Sequence, residues 1–102
     1  MTLMEFSIIP LDKGDSMGTY VARVLSVVDE SGLDYRLNPM GTVVEGEWDD
    51  LLELLTRCYR VLEKESDRVS IQAKFDCRKG VSGALESKIL SVETKAGRSF
   101  KT

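Results

Sequence analysis

Residues 37–48 read LNPMGTVVEGEW and contain the clearest chain reversal of this sequence. Pro39 has no amide hydrogen for a sheet ladder, and Gly41 tolerates backbone angles that other residues avoid. Together they predict a tight hairpin, in which one strand runs in and a second runs out through residues 42–45, before a helix begins near Trp48. Because Asn, Pro and Gly are common turn formers, the alternative is a plain hairpin with solvated polar side chains.

Three other segments have the alternation of apolar and polar residues that is typical of half-buried strands. They are residues 3–9, residues 34–38 and residues 68–77. Period-two alternation with branched and aromatic side chains predicts β-strands. Pro10 is expected to end the first strand.

Apolar residues recur at helical spacing in three segments. The first begins after Ser16, whose hydroxyl is expected to cap the helix, and ends at Ser31-Gly32, where Gly32 supplies a left-handed backbone. The second begins at Trp48 and the third at Ser82. The predicted apolar stripe of the second helix consists of Leu51, Leu52, Leu55, Cys58, Tyr59 and Leu62.

The order strand, helix, strand, strand, helix, strand, helix predicts an α+β fold of the ferredoxin-like, or split βαβ, type. We expect one domain that spans residues 1–102. Right-handed crossovers would place the two main helices on one face of a four-stranded antiparallel sheet. The first and third strands would be central, the second and fourth would be edges, and the C-terminal helix would be an addition.

The sheet face away from the two main helices is expected to be polar. A polar face suits either water or a polar interface. It therefore predicts either a solvated sheet or a lined site for a positive or amine-bearing group. Its expected side chains are Glu5, Ser7, Arg36, Asn38, Ser70, Gln72, Lys74, Asp76 and, depending on the hairpin register, Val44 or Glu45.

Bulk composition argues against several classes of function. The net charge is −3, with 14 basic and 17 acidic residues, whereas nucleic-acid binding needs a dense basic surface. No apolar run approaches the roughly 20 residues of a membrane span, and the first residues do not resemble a signal peptide. We therefore expect a cytoplasmic protein that has neither nucleic acid nor a membrane as partner.

The residues used most often in metal binding and catalysis are scarce. There is no histidine, and Cys58 and Cys77 are not in a Cys-x-x-Cys spacing. A zinc site and Ser-His or Cys-His catalysis are not expected. The two cysteines are predicted to be buried or half-buried free thiols, and the chain is not expected to be an enzyme.

The predicted fourth strand favours self-association. It would be a long, regular strand at the edge of the sheet, able to pair with another subunit. The third helix has an apolar stripe of its own that could cover a neighbour. We expect a homo-oligomer, and a monomer with an appended helix is the alternative.

Four short motifs together resemble the small thiamine-binding protein family, which is related to YkoF-like proteins. They are EFSIIP (residues 5–10), NPMGT (38–42), EGEW (45–48) and DCR (76–78). The resemblance extends from Leu3 to about Val92. It implies a ferredoxin-like subunit that forms dimers and tetramers through its sheets. It also implies binding of thiamine, or of its hydroxymethylpyrimidine part, rather than turnover, with no further cofactor.

The resemblance also identifies candidate ligand-binding positions: Glu5, Ser7, Asn38, Met40, Gly41, Thr42 and Glu45. Thiamine is a cation with an aminopyrimidine ring, so a carboxylate of Glu5 or Glu45 can accept from the amine and offset the charge. Asn38 and Thr42 could complete the polar contacts of the ring edge, and Met40 could lie against its flat face. The Glu45→Gln variant is expected to bind more weakly. The resemblance further implies that Tyr59 falls where many members of the family carry a histidine in the second helix.

Two other classes of function stay open at this point. A structural or interaction protein would use the polar sheet face only for oligomer assembly, and would have no pocket there. An enzyme could use paired carboxylates such as Glu5 and Glu45 for acid–base chemistry, but the chain has no phosphate-binding loop and no nucleophile motif.

Overall fold

The computed structural model describes residues 1–102, which form four strands and three α-helices. A short 3-10 turn, Gly14–Ser16, precedes the first helix. The elements are β1 (Thr2–Pro10), α1 (Met17–Glu30), β2 (Asp34–Asn38), β3 (Gly41–Gly46), α2 (Trp48–Glu63), β4 (Val69–Cys77) and α3 (Ala84–Ala96). None of the helices is long and apolar enough to cross a membrane.

The strands form one antiparallel sheet in the order β2-β3-β1-β4. The predicted α+β, ferredoxin-like fold is confirmed, with β1 and β3 in the centre and β2 and β4 at the edges. β2 has the bounds that the sequence predicts, and β1 and β3 are each one residue longer at both ends. Pro10 is the last residue of β1 rather than the residue after it.

The core lies between α1, α2 and one face of the sheet. On that face β1 contributes Met4, Phe6 and Ile8, and β3 contributes Val44, all of them buried. From α1 the buried side chains are Val24 and Val28. This layer explains the alternation in β1, because every second side chain has to enter the core.

The predicted apolar stripe of α2 wrongly includes Leu52 and omits Leu54. The buried residues of α2 are Leu51, Leu54, Cys58 and Leu62. Leu54 is 2% exposed, whereas Leu52 is 36% exposed. The buried set follows i, i+3, i+7, i+11 and therefore forms one face of the helix, and Leu52 lies about 100° away from Leu51 around the axis.

The predicted start of α1 is also corrected. Ser16 is the residue before the helix, but its hydroxyl makes no capping hydrogen bond. Instead, the 3-10 turn leads into the helix, and the Ser16 amide donates to the Lys13 carbonyl at 3.0 Å. The end of the helix is as predicted, since Gly32 has a φ of +76°.

The hairpin has two residues in its turn, Pro39 and Met40, and Asn38 pairs with Gly41. Neither turn residue has a positive φ, which excludes the I′ and II′ turn types. Gly41 does not have a positive φ either, so backbone freedom is not the reason for a glycine there. A Cβ at Gly41 would lie 3.3 Å from the carbonyl oxygen of Phe6, so a larger residue there would have to push β1 away by a few tenths of an ångström.

The two cysteines differ in their surroundings. Both are free thiols, but Cys58 is buried in the core and Cys77 is exposed at the end of β4, which corrects the prediction for Cys77. Burial raises the pKa of the Cys58 thiol to about 11. The Cys58 thiolate forms more easily in the unfolded chain than in the folded one. The free energy of unfolding should therefore fall as the pH rises from the ordinary thiol pKa of 9.0 towards 11.

We therefore expect the native protein to expose one reactive thiol at about pH 8, because a buried thiol is both inaccessible and protonated. A disulfide reagent should modify Cys77 quickly, and the second thiol should react only in denaturant. The Cys77→Ser variant is the control and should show no fast reaction. Two thiols of similar reactivity in the folded protein would contradict the buried position of Cys58.

Candidate functional site

The register of the sheet brings several predicted site residues onto one face. We call the face opposite α1 and α2 the open face. Paired residues of neighbouring strands point to the same side of a sheet. Glu5 pairs with Val43 on β3 and with Lys74 on β4, and Ser7 pairs with Gln72. The open face carries Leu3, Glu5, Ser7, Ile9, Asp34, Arg36, Asn38, Gly41, Val43, Glu45, Ser70, Gln72, Lys74 and Asp76.

A shallow cavity of about 180 Å³ lies on the open face, beside the hairpin turn. Three predicted site residues line it: Glu5, Ser7 and Met40. Its complete lining is Glu5, Phe6, Ser7, Met40, Gln72, Ala73 and Lys74. We call it the β1–β4 cavity, because all its lining residues except Met40 belong to those two strands.

The charged groups of the β1–β4 cavity form one loose ion pair. The Lys74 Nζ atom is 3.7 Å from Glu5 Oε1, and the two side chains are 83% and 51% exposed. Exposed pairs of this kind contribute little, because water screens the charges and ordering long side chains has an entropic cost. The Glu5 carboxylate is therefore available to an incoming donor.

The polar groups beside this pair are uncharged. Ser7 and Gln72 lie in the next row of the sheet, where a hydroxyl and a carboxamide supply both donors and acceptors. Met40 is exposed at the hairpin turn and gives the cavity a flexible apolar wall. The cavity can hold a small, flat, polar molecule that carries an amine.

Glu45 lies elsewhere on the open face and has a partner within the chain. Its side chain is 6% exposed, and its Oε2 atom accepts a 2.8 Å hydrogen bond from the Ala84 amide at the start of α3. A carboxylate at the amino end of a helix satisfies an otherwise unpaired amide and interacts favourably with the helix dipole. The register thus places Glu45, not Val44, on the open face, but α3 covers it.

α3 is held over this end of the open face by two ion pairs as well. Arg36 on β2 approaches Glu86 at 3.3 Å, and Lys88 donates to Asp76 on β4. The bond from Lys88 holds the pKa of the Asp76 carboxyl below its ordinary value. The third helix therefore covers one end of the sheet face that sequence reasoning left uncovered, and the β1–β4 cavity lies beyond it.

The structure does not bring all the predicted site residues together. Thr42 pairs with Phe6 and is buried on the face covered by α1 and α2, so its hydroxyl does not reach the open face. Asn38 is exposed at the end of β2 and does not line the β1–β4 cavity. Gly41 lies against β1, and its lack of a side chain allows the hairpin to approach Glu5 closely. A Cβ atom at position 41 would lie 3.6 Å from Glu5 Cγ.

Tyr59 lies on α2, on the opposite side of the sheet. It packs against the core, and its hydroxyl interacts with Glu63, which raises the pKa of Tyr59 above its ordinary value. It does not line the β1–β4 cavity of its own subunit.

Gln72 and Lys74 were predicted to lie on the open face but were not singled out as site residues. The strand alternation of β4 places them there, and the β1–β4 register then places them opposite Ser7 and Glu5. That register depends on contacts distant in sequence, so alternation alone does not give it. No group of three or more Cys, Asp or Glu side chains is arranged to hold a metal ion.

Comparison with known proteins identifies relatives along most of the chain. A family model described as "Thiamine-binding protein" matches residues 4–93. UPF0045 protein Mb1933 of Mycobacterium bovis is 35% identical over 92 residues, which cover 89% of this chain and 90% of that protein. UPF0045 protein YqgV of Bacillus subtilis is 33% identical over 98 residues, 90% of this chain and 94% of that protein.

Solved structures have the same architecture. The hypothetical protein MJ1052 from Methanocaldococcus jannaschii superposes with a TM-score of 0.82 at 34% identity, covering 89% of this chain and 94% of that one. A Thermotoga maritima protein provisionally assigned to thiamine biosynthesis or salvage superposes with a TM-score of 0.78 at 20% identity, covering 89% and 97%. At that lower identity the superposition supports the fold alone.

Proposed function

This chain belongs to the thiamine-binding protein family, and from this premise we propose that it binds thiamine, or the hydroxymethylpyrimidine part of thiamine, in the β1–β4 cavity. One observation carries the proposal. Of the family motif positions at the start of β1, Glu5 and Ser7 both line that cavity. The family name and the cavity thus support the same ligand class.

The contacts that we propose follow from the chemistry of an aminopyrimidine. The Glu5 carboxylate accepts a hydrogen bond from the exocyclic amine, and its charge favours a cationic ligand. Ser7 and Gln72 bond to the ring nitrogens, since each has a donor and an acceptor. Met40 closes over the ring face as an adaptable apolar wall.

The geometry separates the ligand-binding residues predicted from the sequence into those that line the cavity and those that do not. Glu5, Ser7 and Met40 form the centre of the proposed site, and Gly41 allows the hairpin to lie close to it. Asn38 belongs to its rim, where a ligand larger than the pyrimidine would reach it. Glu45 and Thr42 lie outside the proposed site, because α3 covers Glu45 and Thr42 is buried on the opposite face of the sheet.

We propose binding without turnover, with a role in thiamine homeostasis in the cytoplasm. A family named for binding supports the first part. The chain also contains no histidine, the side chain used most often for proton transfer near neutral pH. The free thiols of Cys58 and Cys77 agree with a reducing compartment.

The proposal is tested by calorimetric titration of the purified protein with thiamine and, separately, with hydroxymethylpyrimidine. We expect saturable binding of micromolar or tighter affinity, with about one site per subunit. The mass in solution is measured on the same sample. A well-folded protein that binds neither compound would contradict the proposal.

A second candidate function is that of an interaction protein whose surface serves assembly only. The observation in its favour is the apolar surface of α3, where Ile89, Leu90 and Val92 are exposed, with Phe100 just beyond the helix. Isolated exposed apolar residues are common, but a cluster on one element is typical of an interface. This candidate predicts a stable oligomer and a silent titration.

Both candidates include assembly with itself, as a homodimer or a homotetramer. β4 supports this part of the proposal, because it is a nine-residue edge strand that pairs only with β1. An unprotected edge of this length can extend its ladder into a second copy. The open faces of two sheets could pack in the same assembly.

We expect the Ile71→Lys variant to dissociate into smaller species. Ile71 is an exposed apolar residue of β4, and a lysine there would place a charge on the edge strand that a second β4 would have to cover, which opposes edge pairing. Mass measurement by light scattering at several protein concentrations checks this. Leu37→Lys on β2, the other edge strand, is the matched control and should leave the mass unchanged. Dissociation by Leu37→Lys alone would show that assembly uses the β2 edge.

A further inference from the structure

We infer that the β1–β4 cavity prefers a ligand carrying an anionic group, of the phosphate ester class, beside the amine or ring cation. The cation or amine would lie on Glu5 and the anion on Lys74. This inference rests on the proposed function and specifies the chemical form of its ligand. It starts from the balance of charge in the cavity, which has one carboxylate and one ammonium among its lining side chains.

Lys74 is the decisive residue because of what surrounds it. Glu5 is its carboxylate partner, at 3.7 Å. Two other charged groups of the open face, Arg36 and Asp76, are paired with Glu86 and Lys88 of α3. Glu5 is the only carboxylate within ion-pair distance of Lys74, so a ligand that takes Glu5 leaves the ammonium without that partner.

A purely cationic ligand uses only the carboxylate of this pair. Such a ligand would displace Lys74 from Glu5 and then lie within a few ångströms of an unpaired ammonium, where like charges repel. A ligand with both a cation and an anion avoids this cost, because the single Glu5–Lys74 pair is exchanged for two pairs. Gln72, in the adjoining row, keeps a second amide N–H that can donate to an anionic oxygen.

The simpler explanation is that Glu5 and Lys74 form only a cross-strand pair that stabilises the sheet. Opposite charges on neighbouring strands are favourable in many sheets. That explanation predicts a small effect of Lys74 on unfolding and no effect on the choice between ligands. The two explanations therefore differ in a binding measurement that compares matched ligands.

The experiment titrates thiamine, thiamine monophosphate and inorganic phosphate into the full-length protein in a phosphate-free buffer. We expect the monophosphate to bind roughly fivefold more tightly than thiamine. This factor corresponds to the upper end of the free energy that one exposed ion pair contributes. Lys74→Met should abolish this preference. Lys64→Met, which replaces an exposed lysine at the end of α2, is the control and should keep the preference.

Three outcomes would overturn the inference. They are equal or weaker binding of the monophosphate, a preference that survives in Lys74→Met, and inorganic phosphate that binds as tightly as the ester. In each of these cases thiamine still binds and the proposed function stands. If neither thiamine nor its monophosphate binds, the proposed function fails and the inference fails with it. Urea unfolding of Lys74→Met, expected to be close to wild type, excludes a folding defect.

Discussion

Leu54→Ala should lower the free energy of unfolding by about 2–5 kcal/mol, the range for truncating a buried leucine. Leu54 is 2% exposed and belongs to the core cluster between α2 and the sheet. The truncation removes apolar contacts and leaves a cavity that rigid neighbours cannot fill. Since small domains are stable by only about 5–15 kcal/mol, this is a large fraction of the total. Urea unfolding measures it as a lower midpoint at an unchanged slope.

Leu52→Ala is the matched control, because the same change is made two residues away on the same helix. Leu52 is 36% exposed, so its truncation removes little buried surface and should cost less than about 1 kcal/mol. If Leu54→Ala does not fold, Leu54→Met tests the same position, with an expected loss below about 1.5 kcal/mol. Equal costs for Leu52→Ala and Leu54→Ala would contradict the helix orientation in the structure.

This pair of leucines also shows where sequence reasoning failed in the fold. Leu51, Leu52, Leu54 and Leu55 are all apolar, so α2 has two possible stripes that overlap. Only the packing of α2 against the sheet, which is a tertiary contact, decides which of the two stripes is buried. The strands were easier to predict, because alternation with a period of two fixes both the strand and its buried face. The chain order then leaves few topologies for the sheet.

Two local predictions failed for a similar reason. A serine before a helix predicts a capping hydroxyl, but the 3-10 turn before α1 occupies that position, and Ser16 makes no such bond. Gly41 was expected for its backbone freedom, whereas in the structure its φ is not positive and its small size allows the close approach to Phe6. Both outcomes depend on how neighbouring segments pack, which residue types alone do not reveal.

The candidate site was predictable only in part. Alternation correctly placed Glu5, Ser7, Gln72 and Lys74 on one face, and the register brought them together. What the sequence could not indicate is that α3 crosses the same face and binds the carboxylate of Glu45. The contact joins residues 39 positions apart, and no periodic pattern encodes it. Two carboxylates that looked equivalent in the sequence therefore have different environments.

The largest effect on binding is expected for Glu5→Gln, which should weaken thiamine binding about tenfold or more. A hydrogen bond to a charged group contributes about 1.5–3 kcal/mol, and each 1.4 kcal/mol is a factor of about ten. Glu5 is half exposed, so the lower part of that range applies. The amide also leaves the Lys74 ammonium unpaired beside a cationic ligand. Calorimetric titration measures the loss, and circular dichroism confirms that the variant is folded.

Glu45→Gln provides the matched comparison, since it makes the same change on the same face of the sheet. The structure revises the expectation from the sequence, because the Glu45 carboxylate already accepts from Ala84 and is covered by α3. The affinity of the Glu45→Gln variant for thiamine should change by less than about twofold. The backbone amides in the first turn of α3 should exchange their hydrogens with solvent faster than in the wild type, because a neutral carboxamide is a weaker acceptor than a carboxylate. A strong loss of binding in Glu45→Gln with none in Glu5→Gln would move the site from the β1–β4 cavity to the surface beneath α3. If both variants lose the same amount of thiamine affinity, α3 must leave Glu45 when the ligand binds. The comparison of the two titrations therefore locates the ligand on the open face.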